Sequence, residues 1–386
     1  MGAFNDNLFR SILVVFFTYT LSETYNYSAG EMVAFASLVF MLPFFLFSAS
    51  GGLFADKYKK TLVIKNTKLL EVVVMLVAAV GFAKHEVGIL FAALFLMGAQ
   101  SALFGPSKYS FLPEILQKKE LLTGNAIIET STFAAILLGT VTGTILVANN
   151  EFNLISVLLV SLAFIGWVLS CMVKETKQCS PQVKIGCNIF LDTYKVLLKS
   201  LSSKRIFLIV IAISWFWFLG VILLTHLPVF TKEVLFADEN LVIYFFISIT
   251  SGIFLGAFLC RFILNNQPDT RYAPMLLVSI GVFCISLYFS GFIIYQYFFI
   301  ALSLFVIGSL AGFYIVPLYT CLQLAPEEAK RAQLIASNNI FNALFMVFAN
   351  LLAGSIYFLH GNAEIIFLTA GILTILLGIY LHAAFS

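Results

Sequence analysis

Residues 105–129 read GPSKYSFLPEILQKKELLTGNAIIE, and residues 316–342 read VPLYTCLQLAPEEAKRAQLIASNNIFN. In both stretches a proline closes a hydrophobic run, a short charged segment follows, and an asparagine opens the next run. The spacing from proline to asparagine is 19 positions in the first stretch and 21 in the second. Four residues after each asparagine comes another polar side chain, Glu129 or Asn342. The chain therefore repeats one pattern, which in a membrane protein predicts two homologous halves.

The composition of the chain is typical of a membrane protein. Its 386 residues are 61% hydrophobic and 11% charged, whereas soluble domains carry about 25% charged residues. Because lipid offers no partners for free backbone groups, only helices can make many crossings with short connections. We therefore predict an all-α membrane protein with twelve transmembrane helices. The apolar runs long enough to span a bilayer are, by residue number, 3–21, 31–54, 62–83, 87–105, 123–147, 153–173, 205–225, 241–263, 273–293, 296–317, 332–358 and 363–384.

Lysine and arginine set the predicted orientation of these helices. If the N-terminus faces the cytoplasm, 19 of the 22 Lys and Arg residues lie in inward loops or their flanks. Only Lys84 and Lys232 lie in outward loops, and Arg10 lies within the first run. This asymmetry follows the positive-inside rule. We therefore expect a multi-pass protein with both termini in the cytoplasm, and we take the net charge of +3 as no indication of nucleic-acid binding.

The longest polar stretch divides the chain into two parts of six predicted helices each. It covers residues 174–204, so we expect an N-terminal bundle at 1–173 and a C-terminal bundle at 205–386. Apolar side chains recur with helical spacing inside this linker, which predicts an amphipathic helix on the cytoplasmic membrane surface. The first apolar run is barely one span and lacks a charged cytoplasmic flank. We therefore expect the first helix to begin upstream of the printed sequence.

The end of the second run carries a motif rich in glycine and lysine, GGLFADKYKK at 51–60. It resembles the loop signature of the major facilitator superfamily, G-x-x-x-D-R-x-G-R-R, with lysines in place of two arginines and of the second glycine. Gly52 permits close approach of two helices. Asp56 at a helix C-terminus needs a cationic or N-terminal partner on a neighbouring helix. The predicted conformational latch comprises Gly52, Asp56, Lys57, Lys60 and, at the corresponding end of the eighth run, Arg261.

Longer strings across the chain resemble the bacterial lysophospholipid transporters of the same superfamily. These strings are AFNDNLFR (3–10), FGPSKYSFLPEIL (104–116), GNAIIETSTFAAILLGT (124–140), ISWFWFLG (213–220), PLYTCLQ (317–323) and ASNNIFNALFM (336–346). The resemblance implies a major facilitator fold of two pseudo-symmetric six-helix halves. It also implies that lysophosphatidylethanolamine-type lipids move from the outer to the inner leaflet of the bacterial inner membrane by alternating access.

The same resemblance implies partners for the chain. Some members of that family are fused to acyltransferase and acyl-carrier-protein synthetase domains, which restore the second acyl chain. Those domains are absent from this sequence, so a separate acyltransferase or acyl-ACP synthetase is implied. We expect the chain to be a monomer that contacts its lysophospholipid substrate and membrane lipid. We expect no nucleic acid, metal or cofactor.

Polar side chains inside the apolar runs are the candidate binding residues, because burying them in lipid is costly. A lysophospholipid carrier needs a polar pocket for the head group beside an apolar slot for the tail. We expect Asp6 to meet the substrate ammonium and Lys108 to meet the phosphate. The predicted substrate-binding set comprises Asp6, Asn7, Arg10, Lys108, Glu129, Trp217, Asn338 and Asn342.

Structural roles for the same residues stay open at this point. Asp6 and Arg10 are spaced for an i,i+4 ion pair, and Lys108 sits where a lysine can anchor a helix end at the head groups. Glu129 can bond across helices, and Lys68 with Glu71 is interpreted as a structural pair.

Other functions also stay open. One is a proton-coupled exporter of drugs, siderophores or other amphipathic small molecules, with Asp6 or Glu129 titrating. Another is a membrane-bound acyltransferase, which is disfavoured because no histidine is followed by aspartate five residues later. A third is a lipid sensor that does not transport. No G-x-x-x-x-G-K-[ST] loop is present, so ATP hydrolysis by that route is excluded.

Overall fold

Thirteen α-helices make up almost all of the regular structure in the part of the chain that the structure describes. The computed structural model describes residues 1–16, 29–148, 151–175, 182–183, 185–186, 188–200, 203–324, 331–359 and 361–385. Within these ranges every regular element is helical, which confirms the all-α class. The helices are α1 (Gly2–Phe16), α2 (Ala29–Lys57), α3 (Lys60–Lys84), α4 (Val87–Ile115), α5 (Leu121–Ala148), α6 (Phe152–Cys171), α7 (Ile189–Ser200), α8 (Lys204–Glu233), α9 (Glu239–Ile263), α10 (Ala273–Tyr288), α11 (Gln296–Leu324), α12 (Arg331–Phe358) and α13 (Ala363–Phe385).

Most of these helices are long and apolar enough to cross a membrane. In the described ranges nine qualify, namely α2, α4, α5, α6, α8, α9, α11, α12 and α13. The other three predicted spans coincide with α1, α3 and α10, of which α10 is a shorter apolar helix of 16 residues. The chain is thus a multi-pass membrane protein, and the count of twelve spans stays a prediction. The end of the first predicted span, residues 17–21, lies outside the described residues.

The two prolines of the repeated pattern lie inside helices and do not end them. Pro106 is internal to α4 and Pro317 is internal to α11, so both helices extend beyond the hydrophobic runs that the sequence indicated. A proline removes one backbone N–H, and nearby hydroxyl groups can use the carbonyl groups left free. In α4, Ser110 Oγ donates to the Pro106 carbonyl at 2.6 Å, the bond to the i−4 carbonyl that serine commonly makes within a helix.

Backbone packing divides the chain into two compact units that do not follow chain order. The first unit comprises Met1–Ile115, Ala134–Ser200 and Pro326–Ile340, and the second comprises Leu116–Phe133, Leu201–Ala325 and Phe341–Ser386. Helices α5 and α12 therefore each contribute one part to either unit. The predicted three-part division by chain order stays a prediction.

Each unit is built from helices packed along one another. In the first unit α4 packs along α2 and α3, while α6 packs on α3 and α1. In the second unit α9 packs along α11, and α10 packs along α13. Gly252 and Gly256 of α9 meet the α11 backbone so closely that an added Cβ would collide with it. Small residues thus allow this close pair, as they do between other membrane helices.

Helix α7 lies within the predicted linker. It begins after Asn188, whose Oδ1 accepts two backbone N–H groups of the first turn at 3.1 and 3.2 Å, as an N-cap residue does. Val196 on one face packs against α2. Phe190 and Tyr194 on another face are 74% and 61% exposed. The helix is therefore amphipathic, and linker residues 176–181, 184, 187 and 201–202 lie outside the described residues.

Candidate functional site

Only one carboxylate oxygen of Asp6, on α1, accepts a hydrogen bond within the described residues. Its Oδ2 accepts a hydrogen bond of 3.0 Å from Ser101 Oγ of α4. Its Oδ1 accepts no hydrogen bond within the described part of the chain. Arg10 does not form the i,i+4 ion pair with Asp6 that the sequence allowed, and its guanidinium lies 4.9 Å from the centre of the Phe40 ring. One carboxylate oxygen is therefore left for a ligand.

The remaining predicted binding residues of the first unit have local contacts. Asn7 Nδ2 donates to the Ala3 carbonyl at 2.8 Å, so one amide donor is used within α1. Lys108 Nζ lies 4.9 Å from the centre of the Tyr109 ring, and Asn338 is fully buried in the first part of α12. Lys108 comes seven residues after Ser101 in α4, which places both on one helix face. The face of α4 that contacts Asp6 therefore also carries Lys108.

Asp56 at the end of α2 caps the start of α12. Its carboxylate accepts the backbone N–H groups of Ala332 and Gln333 at 3.0 and 3.1 Å, and also Gln333 Nε2 at 3.0 Å. These N–H groups have no partner within their own helix, and the helix dipole favours an anion there. A Cβ at Gly52 would lie 2.7 Å from Ala336 Cβ. Gly52 and Asp56 therefore join α2 to α12 at close range.

The lysines and the arginine of the predicted latch contact other groups, although Lys60 is near enough to Asp56 to interact with it electrostatically. Lys60 is fully buried and pairs with Glu114 at the end of α4. Lys57 Nζ lies 5.6 Å from the ring centre of the following tyrosine. Arg261, in the second unit, lies over two phenylalanine rings of α9 at 4.4 and 4.7 Å. The structure thus brings Gly52 and Asp56 to one contact and places the three basic residues at separate ones.

The second unit holds three of the predicted binding residues. Trp217 on α8 donates through Nε1 to Tyr319 OH at 3.0 Å, and its ring stacks on Phe133 with centroids 6.1 Å apart. Asn342 Oδ1 accepts a hydrogen bond of 2.9 Å from Ser214 Oγ. These contacts join α8 to α5, α11 and α12. The third residue is Glu129 on α5, which is fully buried.

A cluster of amides between α5 and α11 was missed by the sequence reasoning. Asn125 Nδ2 donates to Gln323 Oε1 at 2.8 Å, and Gln323 Nε2 donates back to Asn125 Oδ1 at 2.9 Å. Asn125 Nδ2 also lies 3.0 Å from Thr320 Oγ1. All three residues are fully buried. In the sequence, Asn125 is identified only as part of the repeated pattern. The polar residues at the end of the string PLYTCLQ are the signal from which a contact with Asn125 could have been predicted.

A second cluster was also missed, beside Asp6. It places Ser101 and Gln100 of α4 beside Lys68 and Glu71 on α3. The structural pair of Lys68 and Glu71 was itself predicted from the sequence and is confirmed; its link to α4 was missed. The available signal was the dipeptide Gln100–Ser101 inside an otherwise apolar run. The contact between Gln100 on α4 and Glu71 on α3 could not be predicted, because a sequence does not show which helix faces meet.

A family model that matches most of the chain decides which family the protein belongs to. The model of the Major Facilitator Superfamily matches residues 1–349. The chain belongs to the major facilitator superfamily. It is therefore a secondary transporter and not an enzyme, and the predicted major facilitator fold is confirmed, while the count of twelve spans stays a prediction.

Relatives agree with the resemblance stated above. The chain is 26% identical over 334 residues to the lysophospholipid transporter LplT of Enterobacter sp. (strain 638), covering 84% of this chain and 77% of that one. It is also 26% identical over 346 residues to LplT of Pectobacterium carotovorum subsp. carotovorum (strain PC1), covering 88% and 78%. The human organic anion transporter MFSD10 (TETRAN) has a similar structure, with a TM-score of 0.76 at 15% identity over 98% of this chain and 97% of that one. The first two confirm the resemblance, and the third shows the fold alone.

Proposed function

We propose that this chain moves lysophosphatidylethanolamine-type lipids from the outer to the inner leaflet of the bacterial cytoplasmic membrane by alternating access, with both termini in the cytoplasm. The observation that carries the proposal is the Asp6 carboxylate, whose Oδ2 is held by Ser101 while Oδ1 accepts no hydrogen bond within the described residues. An ionisable group in a membrane helix is costly unless it meets a partner. An ethanolamine head group carries a primary ammonium that donates such hydrogen bonds. The names of the relatives support a lysophospholipid as the class of substrate.

The phosphate of the same head group calls for a cation near Asp6. Lys108 shares a face of α4 with Ser101, the residue that contacts Asp6. Arg10 follows Asp6 by one turn on α1 and is therefore on the same helix face. Carboxylate and cation together suit a zwitterion, since each charge of the lipid then meets its opposite.

The acyl tail and the fate of the product complete the proposal. The chain contains 42 phenylalanines, which offer apolar surface to a single acyl tail. The lysolipid delivered to the inner leaflet is then re-acylated by an acyltransferase.

Transport in a purified system tests this function. The protein is reconstituted in liposomes, and fluorescent lysophosphatidylethanolamine is added to the outer leaflet. We expect the protein to speed its passage to the inner leaflet, as measured by the fraction that albumin can no longer extract. Empty liposomes and the variant Asp6→Asn are the controls. An extraction curve identical to that of empty liposomes would contradict the proposed substrate.

A further inference from the structure

A row of polar side chains in close contact runs from α1 through α4 to α3. Ser101 Oγ lies 3.0 Å from Asp6 Oδ2 and 3.3 Å from Gln100 Oε1. Gln100 Nε2 donates to Glu71 Oε2 at 3.4 Å. The same oxygen of Glu71 accepts from Lys68 Nζ at 2.5 Å. The row thus connects the Asp6 carboxylate, whose buried Oδ1 has no hydrogen-bond partner in the described residues, to an ion pair on another helix.

The far end of the row is fixed by burial. Gln100 and Glu71 are each 2% exposed, and Lys68 is 7% exposed. Lys68 Nζ also lies 4.7 Å from the centre of the Phe104 ring. Buried charges that keep their partners in place hold one geometry, because breaking the pair leaves an uncompensated charge. Glu71 and Lys68 therefore anchor the Gln100 amide against α3.

The near end of the row decides how the Asp6 carboxylate is oriented. A serine hydroxyl has one proton to donate, and Ser101 has two acceptors within reach, Asp6 and Gln100. The bond to the carboxylate is the shorter, and bonds to ionised acceptors are the stronger kind. Holding Oδ2 in this way fixes the rotation of the whole carboxylate group. The direction of Oδ1, which has no partner in the described residues, is thereby set.

We infer that Ser101 is a positioning residue for ligand binding: it orients the Asp6 carboxylate toward the ammonium of the lipid, while the buried contacts among Gln100, Glu71 and Lys68 hold α4 against α3 beside it. This inference rests on the proposed function, since it takes the ammonium as the ligand of Asp6. It assigns Ser101 no contact with the lipid. The effect of Ser101 must therefore disappear when Asp6 can no longer bind the ammonium.

Replacement of the hydroxyl gives the first measurement. For Ser101→Ala we expect the KM for lysophosphatidylethanolamine in liposomes to rise about tenfold, the ratio that 1.4 kcal/mol produces, with Vmax near that of the wild type. Ser101→Thr keeps a hydroxyl and should restore a KM close to the wild-type value. Ser101→Cys, with its weak S–H donor, should give an intermediate KM and serves if the alanine variant does not fold.

A second serine of α4 provides the matched control. Ser110 donates to the Pro106 carbonyl of its own helix, so Ser110→Ala removes the same group without touching Asp6. We expect its KM to be unchanged. Equal rises in KM for the two alanine variants would show a general loss of packing in α4 and would overturn the inference.

A double-mutant cycle on binding decides whether Ser101 acts through Asp6. Binding of lysophosphatidylethanolamine to the detergent-solubilised protein is measured for the wild type, Ser101→Ala, Asp6→Asn and the double variant. We expect Ser101→Ala to weaken binding in the wild type and to change nothing in the Asp6→Asn background. Additive effects, or unchanged binding by Ser101→Ala, would overturn this inference and leave the proposed function intact. A wild-type protein that neither binds nor moves the lipid would overturn both.

Discussion

At the residue scale, three carboxylates of the first unit differ in how many hydrogen bonds they accept from the protein. Asp56 has three donors on its carboxylate, and Glu71 has two on one oxygen. Asp6 has only Ser101 on one oxygen and no donor on the other in the described residues. Because the first two are satisfied by the protein, we assign them to holding helices together. Among these three, Asp6 is the carboxylate with an oxygen that no donor in the described residues contacts, so we assign it to the ligand.

The first residue-scale prediction concerns the two charges proposed to meet the zwitterion. Asp6→Asn and Lys108→Ala should each reduce transport of lysophosphatidylethanolamine at least tenfold, because loss of one partner leaves a charge of the bound lipid unpaired. The measurement is the initial rate in liposomes, normalised to the amount of folded protein. Lys84→Ala, at an exposed residue, should retain the wild-type rate. Wild-type rates and head-group preference in both site variants would show that Asp6 and Lys108 are structural.

A second residue-scale prediction concerns the buried pair of Lys60 and Glu114. Their side chains are 0% and 8% exposed, so removal of either partner leaves a charge that water does not reach. We expect Lys60→Met to lower the free energy of unfolding by about 3–5 kcal/mol. The double variant Lys60→Met/Glu114→Leu should recover much of this loss, because no uncompensated charge remains. Thermal unfolding in detergent compares the two variants with the wild type, since a loss of stability lowers the midpoint temperature. Equal midpoints for the single and the double variant would refute the prediction.

At the element scale, the amide cluster joins helices from the two sequence halves. Asn125 lies on α5, and Gln323 and Thr320 lie on α11, with every bond among them buried. Bonds of this kind between membrane helices are worth about 1–2 kcal/mol in model peptides. A cluster of that strength can hold two helices together and still separate during a transport cycle. We therefore interpret it as a contact that forms and breaks as the two halves move.

The element-scale prediction follows from that interpretation. In a variant without native cysteines, Asn125→Cys and Gln323→Cys are joined by a short bifunctional thiol reagent that a reducing agent can cleave. We expect transport to stop on cross-linking and to return on cleavage, because α5 and α11 can then no longer separate. Each single-cysteine variant, treated in the same way, is the control. Full transport by the cross-linked protein would mean that this contact stays closed throughout the cycle.

The helices also show which structural features can be predicted from the sequence alone. Apolar runs predicted the helices, because length and hydropathy are local properties of the chain. The runs did not show that α4 and α11 continue beyond Pro106 and Pro317, because polar residues after each proline lower the hydropathy there. The N-terminal partner expected for Asp56 is present at α12.

The candidate site was less accessible to sequence reasoning than the helices were. Asp6 stood out as a charge in an apolar run, yet its contact with Ser101 depends on which faces of α1 and α4 meet. The same holds for Asn125 and Gln323, which are 198 positions apart. Single residues could therefore be nominated from the sequence, but their pairings required the fold.

At the scale of the whole molecule, the source of energy for transport is the open question. The sequence carries no phosphate-binding loop for ATP, and the chain is a secondary transporter. A lysolipid that is re-acylated in the inner leaflet is removed from the transport equilibrium. Its own concentration difference between leaflets can then sustain net movement. We therefore propose downhill transport without obligatory coupling to protons.

The last prediction tests this proposal in membrane vesicles. Labelled lysophosphatidylethanolamine is supplied outside, and its arrival in the inner leaflet is followed with and without a protonophore. We expect most of the transport rate to persist without a proton gradient, because the lipid gradient itself is unchanged. A lactose–proton symporter in the same vesicles is the control that shows the gradient has collapsed. Complete loss of lipid transport under these conditions would favour the proton-coupled alternative, in which Asp6 or Glu129 carries the proton during each cycle.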